Sequence, residues 1–189
     1  MKKKLIAAAL LVIGLAILSA GTIAYFTSST TAHNVITSGG VNITLEEWAD
    51  EVGKTPYPTD PVPAMPGQTV TKIVTVKNTD ADAFVRAKFS IKVFSGDKDV
   101  TGELDNLDQA IVIKCDGDWK PGEGGWYYYN ALLKNGARTA PLFSQVEFDG
   151  PNMTNAYQNC TIKVDVVAQA VQAANNGTSA LSAAGWPEE

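Results

Sequence analysis

The chain has 189 residues, of which 45% are hydrophobic, and its 15 basic and 20 acidic residues give a formal net charge of −5. An acidic surface repels nucleic acid and anionic lipid, and no basic stripe in the sequence offers a footprint for either. These features exclude a nucleic-acid-binding protein and leave no basic surface for peripheral membrane binding.

The N-terminus predicts a signal peptide over residues 1–24. Three lysines precede an uncharged apolar run, Leu5–Ala20, which is shorter than the roughly 20 residues of a stable membrane span. Thr22–Ala24 fits the small-x-small rule of signal peptidases, which places the cleavage between Ala24 and Tyr25. The alternative is an uncleaved anchor that continues through Phe26, and it is the only membrane contact that the sequence predicts.

Cleavage would leave a mature protein of 165 residues, and the loss of three lysines would change its net charge from −5 to −8. A chain of this length can bury the core of one domain without external staples. No later apolar run reaches the length of a membrane span, so we expect a secreted protein that is soluble outside the membrane.

The segment that follows the signal contains residues that favour extended structure. Tyr25–Thr37 has no proline and no glycine, and His33 is its only side chain that can carry a charge near neutral pH. Such a segment can add to the exposed sheet edge of another subunit, where main-chain hydrogen bonds give affinity and alternate side chains set the register. It is a candidate donor strand, with Phe26, Val35 and Ile36 as its apolar residues. An edge strand of its own subunit and a frayed tail are the alternatives.

The sequence predicts one β-sandwich domain over residues 41–189, preceded by an N-terminal segment, residues 25–40. Alternation with period two puts one face of a strand in a core and the other in water, as in antiparallel sheets. Turn residues separate the runs, and many short strands of this kind are typical of a sandwich. The alternating runs are Val41–Glu46, Val70–Lys77 (interrupted by Lys72), Val85–Val93, Ile111–Cys115 and Cys160–Val166.

Other features of the chain are less regular. One or two helical turns are predicted at Leu104–Ala110, and a short helix is predicted at Ser179–Ala184, after Gly177. Five prolines fall between Pro56 and Pro66, which favours extended, polyproline-like backbone. This stretch is either a stiff connection between two sheets or a recognition motif for a partner domain.

Cys115 and Cys160 are the only two cysteines. Each shares a strand face with apolar residues, Ile113 in one run and Ile162 in the other, so both are predicted to point into the core. A disulfide between them would enclose about 45 residues and stabilise the fold by roughly 4 kcal/mol on the chain-entropy estimate. Two unpaired thiols that act as small hydrophobic residues are the alternative.

One segment resembles a calcium-binding loop. Residues 97–108 carry oxygen ligands at loop positions 1, 3, 5, 9 and 12, with glycine at position 6 and an apolar residue at position 8. Aspartate replaces the usual glutamate at position 12, and a strand precedes the loop. A solvated acidic hairpin is the alternative, and no other cofactor is predicted. The candidate ligands are Asp97, Asp99, Thr101, Asp105 and Asp108.

The aromatic run Trp126–Tyr129, with Trp119 nearby, is either a carbohydrate-stacking surface or cross-strand packing.

Enzymatic chemistry has little support in the sequence. With His33 as the only histidine and no His-Glu-x-x-His motif, a zinc protease lacks its usual ligands. No Gly-x-Ser-x-Gly elbow and no phosphate-binding loop occur. We therefore assign no catalytic residue.

Several segments, in order, resemble TasA and camelysin-type proteins. Gly21–Thr27 looks like the end of the family's export signal, which a dedicated SipW-type signal peptidase cleaves. Gly39–Leu45 resembles the family's first sandwich strand, and Val167–Gln172 resembles its last. Met65–Lys72 is similar to a family segment that has an acid where this chain has Gln68. The other matching segments are Val76–Thr79, Asp82–Ala87, Gly125–Tyr129 and Thr139–Phe143.

The resemblance implies a jelly-roll-like sandwich from a Gram-positive bacterium, secreted to the extracellular matrix or cell surface. Members of this family often assemble into biofilm fibres, in which the N-terminal segment of one subunit completes a sheet in its neighbour. We therefore expect a structural fibre subunit that self-associates by β-strand addition and is not an enzyme. The alternatives are a monomeric adhesin or glycan-binding module and, with less support, a camelysin-like metallopeptidase.

Overall fold

The structure, a computed structural model, describes residues 26–38, 40–50, 55–60 and 62–188. These residues form mostly antiparallel β-sheets with few helices, which confirms the predicted all-β class. The strands are β1 (Phe26–Ser38), β2 (Ile43–Trp48), β3 (Val62–Ala64), β4 (Thr69–Asn78), β5 (Ala83–Ser95), β6 (Lys98–Asp99), β7 (Ile111–Ile113), β8 (Trp119–Pro121), β9 (Tyr127–Tyr129), β10 (Phe143–Phe148) and β11 (Cys160–Gln172).

The larger sheet is built on two long strands, β5 and β11. They pair antiparallel from Cys160 opposite Ser95 to Gln172 opposite Ala83. From Cys160 to Ala170 the even-numbered residues of β11, such as Ile162, lie in the core, and the odd-numbered residues lie on the outer face. The strand order across this sheet is β3–β1–β11–β5–β9–β8, and β6 pairs with the end of β5.

Strand β1 joins this sheet through a parallel pairing with β11. The pairing runs from Thr27 opposite Thr161 to Ser38 opposite Val171. The sequence predicted an antiparallel sandwich, so this pair differs from the expectation. Parallel neighbours need a long crossover connection, and here the whole chain between β1 and β11 supplies it. A local pattern of residues carries no signal for such a distant partner.

The smaller sheet has the order β2–β4–β10–β7, and its strands are antiparallel. Its buried residues Leu45, Val74 and Phe143 belong to the same apolar cluster as Ala87 and Val164 of the larger sheet. Removing apolar surface from water, at about 25 cal/mol per Å², is the main favourable term in folding. One buried cluster therefore stabilises both sheets together.

Lys72 interrupts the apolar face of β4, and the structure gives the reason. Its side chain is 1% exposed, and its Nζ lies 2.6 Å from Oε2 of Glu47, whose side chain is 6% exposed. The ring centroid of Tyr57, from the proline-rich segment, lies 4.3 Å from the same Nζ. Burial lowers the pKa of Lys72, and the nearby charge of Glu47 opposes that shift. The break in the pattern is a buried ion pair between neighbouring strands.

In the residues that the structure describes, helical structure is limited to short segments. The α-helix α1 spans Leu107–Ala110, and a 3₁₀ turn spans Ala180–Ser182; both lie within the two predicted helical ranges. Three further 3₁₀ turns cover Thr101–Glu103, Glu123–Gly125 and Asn155–Tyr157. Within the described ranges, no helix has the length and apolar composition of a membrane span.

Candidate functional site

The candidate donor strand lies in the larger sheet, between β3 and β11. Three apolar residues were predicted to act in strand donation. Phe26 pairs with Ala64 of β3, whereas Val35 and Ile36 are opposite Ala168 and Gln169 of β11. The structure thus places this strand beside strands of its own chain. The predicted cleavage between Ala24 and Tyr25 lies outside the described residues.

The two edges of β1 are used unequally. On one side the strand follows β11 through most of its length. On the other side β3 pairs only with Phe26–Ser28, and within the described ranges no strand pairs with the following residues, Ser29–Ser38, on that side. Pro63 of β3 has no N–H to donate, which is tolerated only at a sheet edge or bulge. Strand β1 is therefore held chiefly by the edge of β11.

The edge of β11 does not depend on β1 for its own shape. β11 pairs with β5 through its full length. Its inward residues from Cys160 to Ala170, among them Ile162 and Val164, are at most 2% exposed and pack in the core. β5 and the core thus position β11 as a template, and β1 fills the place beside it.

The predicted calcium ligands are spread over successive elements. Asp97 lies in the turn before β6, Asp99 lies in β6, Thr101 begins a 3₁₀ turn, Asp105 lies in the following turn, and Asp108 lies in α1. In the part of the chain that the structure describes, no three His, Cys, Asp or Glu side chains lie together as a metal site would need. The calcium site stays a prediction without a gathered set of ligands.

Local hydrogen bonds account for the first acids of this loop. The Oδ1 of Asp99 accepts a 2.9 Å hydrogen bond from the Thr101 N–H, and hydrogen bonding to Thr101 lowers the pKa of Asp99. The Oγ1 of Thr101 accepts a 2.8 Å hydrogen bond from the N–H of Val93. Lys98 and Glu103 form an exposed ion pair at 2.6 Å. These contacts shape the hairpin.

Cys115 and Cys160 are free thiols in this structure. Burial raises the pKa of the half-buried Cys115, and contact with the Tyr127 hydroxyl partly opposes this rise. The Sγ of Cys160 lies 3.5 Å from the carbonyl oxygen of Ala156, and burial raises the pKa of this thiol as well. Both thiols pack against the apolar core. Of the two alternatives that the sequence leaves open, the structure has the unpaired one.

We expect both thiols to react with an alkylating reagent after unfolding without a reductant. In the native protein at pH 8, labelling should be much slower and should accelerate as the pH rises, because the thiolate is the reactive form and burial raises both pKa values. Intact-mass spectrometry over time measures the number of labels. Unfolded, unreduced protein that takes up no label would instead demonstrate a disulfide between Cys115 and Cys160.

The aromatic run alternates between the two faces of the larger sheet. On the inner face, Tyr127 stacks on Phe89 with ring centroids 6.0 Å apart, and Tyr129 lies 5.2 Å from Trp119. The indole N–H of Trp119 donates a 3.1 Å hydrogen bond to the carbonyl oxygen of Ala140. Trp119 is 3% exposed. These rings form part of the core rather than an open stacking surface.

On the outer face, Arg86 of β5 lies within a group of aromatic rings. Its guanidinium carbon is 4.2 Å from the ring centroid of Trp126 and 4.7 Å from that of Trp186. Its Nη1 donates a 3.2 Å hydrogen bond to the hydroxyl of Tyr128, and its Nε and Nη2 donate to Oε1 of Gln169 at 2.9 and 2.7 Å. We call Arg86, Trp126, Tyr128 and Gln169 the Arg86 site.

The sequence did not indicate the Arg86 site as a unit. In the sequence, Arg86 is a polar residue of the alternating run Val85–Val93 and belongs to the family-like segment Asp82–Ala87. Gln169 and Trp186 were not assigned a function, because they lie 83 and 100 positions from Arg86. The available signal was an arginine on a strand whose neighbours on the same face include an aromatic run, since arginine stacks readily on aromatic rings.

His33, the one histidine, lies in β1 opposite Val166.

Comparisons with known proteins give no match: no family model, curated protein or solved structure is similar to this chain. The resemblance to TasA and camelysin-type proteins therefore stays a prediction from the sequence segments.

Proposed function

We propose that the protein is a secreted structural subunit of extracellular matrix or biofilm fibres, of the TasA and camelysin type. In this proposal a SipW-type signal peptidase removes residues 1–24, and residues 41–189 fold as a jelly-roll-like β-sandwich. Subunits then associate by β-strand addition. The apolar run at the N-terminus, the ordered family segments and the position of β1 support this function.

The position of β1 is the observation that carries the proposal. The strand directly follows the predicted cleavage site and is held chiefly along one edge, by β11. Its place in the sheet is defined by β11, which β5 and the core hold independently. A terminal strand of this kind can leave its own subunit and occupy the same place in another copy.

Exchange between identical copies costs little at equilibrium, because each strand forms the same hydrogen bonds and packing in either subunit. Exchange of an identical element is a low-cost route to association. Each subunit that donates β1 to a neighbour leaves its own β11 edge open for the next copy. If the rotation between copies does not close a ring, such a head-to-tail contact generates a filament.

Proline substitution in β1 tests this function. We expect that one of the two variants Val35→Pro and Ile36→Pro abolishes filaments in electron micrographs of the purified mature protein. Adjacent N–H groups of a strand point to opposite edges, so one of these residues directs its N–H to β11, and proline cannot donate that bond. The other variant should assemble more nearly like wild type, because β1 has no described partner beyond β11 at this position.

Val35→Ala and Ile36→Ala are the matched controls, since they shorten the side chain but keep the N–H. Thermal melting followed by circular dichroism checks that each variant is folded. Filaments formed at the wild-type rate by both proline variants would contradict assembly through β1. Wild-type protein that stays monomeric at all concentrations and times would contradict the fibre function itself.

A further inference from the structure

The C-terminal segment, residues 173–188, folds back onto the outer face of the larger sheet. We call it the tail. Its buried Ala180 contacts Phe84 of β5 and Val171 of β11 in a small apolar cluster that is separate from the main core. Trp186 packs edge-on against Tyr128, with ring centroids 5.8 Å apart, and covers Arg86. The tail therefore covers the Arg86 site on the outer face of the larger sheet.

The tail has an internal structure that presents Trp186. The side chain of Asn176 donates to the carbonyl oxygen of Ala184 at 3.0 Å and accepts from the N–H of Ala184 at 2.8 Å. Ser179 and Ser182 cap the 3₁₀ turn reciprocally, and the indole N–H of Trp186 donates to the carbonyl oxygen of Ala183 at 3.1 Å. These bonds lie within the tail, so they do not depend on its contact with the sheet.

The Arg86 site is polar, partly buried and incompletely satisfied. Among the described residues Arg86 forms no ion pair, and its hydrogen bonds go to the neutral oxygens of Gln169, Tyr128 and Pro187. Gln169 is 0% exposed, and among the described residues its Nε2 has no hydrogen-bond partner. Most buried polar groups in proteins are paired. The buried amide of Gln169 departs from this rule, whereas the arginine beside it is bonded to neutral oxygens.

We infer that the Arg86 site is a docking surface for the tail, and that it accepts the tail of a second copy as well as its own. Arg86, Tyr128 and Gln169 lie on β5, β9 and β11, and Trp126 directly precedes β9. Sheet pairing holds these strands without the tail. A second copy carries the same Trp186–Pro187 sequence, so its tail fits the site by identity. Occupancy by the chain's own tail keeps the site closed at low concentration.

The backbone before the docked part of the tail permits this exchange. Asn175 and Gly177 have positive φ values of 58° and 78°, which reverse the chain directly after β11. Glycine adopts such values at little cost, and asparagine more readily than most residues. A change at these residues would swing the tail outward while β11 stays in the sheet. Docking of the tail on a second copy is distinct from strand addition by β1, because the tail and β1 lie at opposite ends of the chain.

Complementary variants of the full chain test the inference. Arg86→Met keeps the tail and disables the site, whereas Trp186→Ala keeps the site and disables the tail. Neither variant can form the tail contact with itself. In a 1:1 mixture, sedimentation should reveal a species of twice the subunit mass that neither variant forms alone. Association through β1 would be present in each variant separately and so would not be specific to the mixture.

Arg138 and Trp48 provide a matched control, because Arg138 also stacks on a tryptophan ring, at 5.5 Å, on the smaller sheet. Mixing Arg138→Met with Trp48→Ala should give no new species. A mixture of Arg86→Met and Trp186→Ala that behaves as its separate components would overturn docking between copies.

Hydrogen exchange of the wild-type protein gives a second measurement that does not depend on variants. Amides of residues 173–188 should exchange at least tenfold faster than those of β5 and β11, because the tail opens without the sheet. Exchange of the tail at the same rate as β11 would overturn its role as a removable segment.

Discussion

Replacement of Lys72 by methionine should lower the free energy of unfolding by about 3–5 kcal/mol, because it leaves the carboxylate of Glu47 buried without its partner. The two side chains are 1% and 6% exposed, and their charged atoms lie 2.6 Å apart. Methionine keeps much of the volume of lysine, so the loss comes from the unpaired charge rather than from a cavity. Chemical denaturation of the wild type and the variant at pH 7 measures the difference.

Two further variants separate the buried charge from other effects. The double variant Lys72→Met with Glu47→Leu should recover most of the lost stability, since apolar residues can replace a buried ion pair at little cost. Lys98→Met breaks a pair of the same 2.6 Å length whose side chains are 68% and 59% exposed. It should change stability by less than about 1 kcal/mol. A Lys72→Met variant as stable as Lys98→Met would show that Glu47 takes up a proton or reaches water.

Deletion of Tyr25–Ile36 should leave a folded monomer that cannot form filaments. The remaining chain keeps β11 paired with β5 along its length and keeps the residues of the shared core. It therefore has the edge that accepts a strand but no strand to donate. Cooperative thermal melting and electron microscopy measure the two outcomes. An unfolded product would show that the segment is an essential strand of its own subunit.

The truncated protein should also stop the growth of wild-type filaments. A wild-type subunit can insert its β1 into the open edge of a truncated copy, but the truncated copy cannot continue the chain. Addition of truncated protein below the wild-type concentration should therefore shorten the filaments in proportion to its amount. A variant with Lys120→Ala and an intact β1, which alters an exposed lysine on β8, is the control. Filaments of unchanged length would contradict strand donation.

The sequence predicted the strands well where one face of a strand is buried. The alternation in Val85–Val93 lies within β5, and that in Cys160–Val166 lies within β11, because apolar side chains at every second position have only one way to reach the core. Even the interruption at Lys72 falls on an inward position. The pattern located the charge, but only the structure identifies Glu47 as its partner across the strand.

The candidate sites were less predictable, because they depend on contacts between distant segments. The composition of β1 favours extended structure but does not identify β11 as its parallel neighbour. The spacing of the acids in residues 97–108 resembles a calcium loop, yet a hairpin and a 3₁₀ turn divide them. The Arg86 site joins β5, β9, β11 and the tail, and no local period relates these segments.

The parallel pairing of β1 and β11 also determines how the protein bears a mechanical load. The N-terminal end of β1 and the C-terminal end of β11 lie at opposite ends of the same pair. A pull on both termini would slide the strands along each other in shear, so that the hydrogen bonds between them resist together instead of opening one after another. If β1 belongs to the neighbouring subunit, the same geometry lies at every joint of the filament. Tension that pulls β1 along its own axis would then load each of these β-ladders in shear.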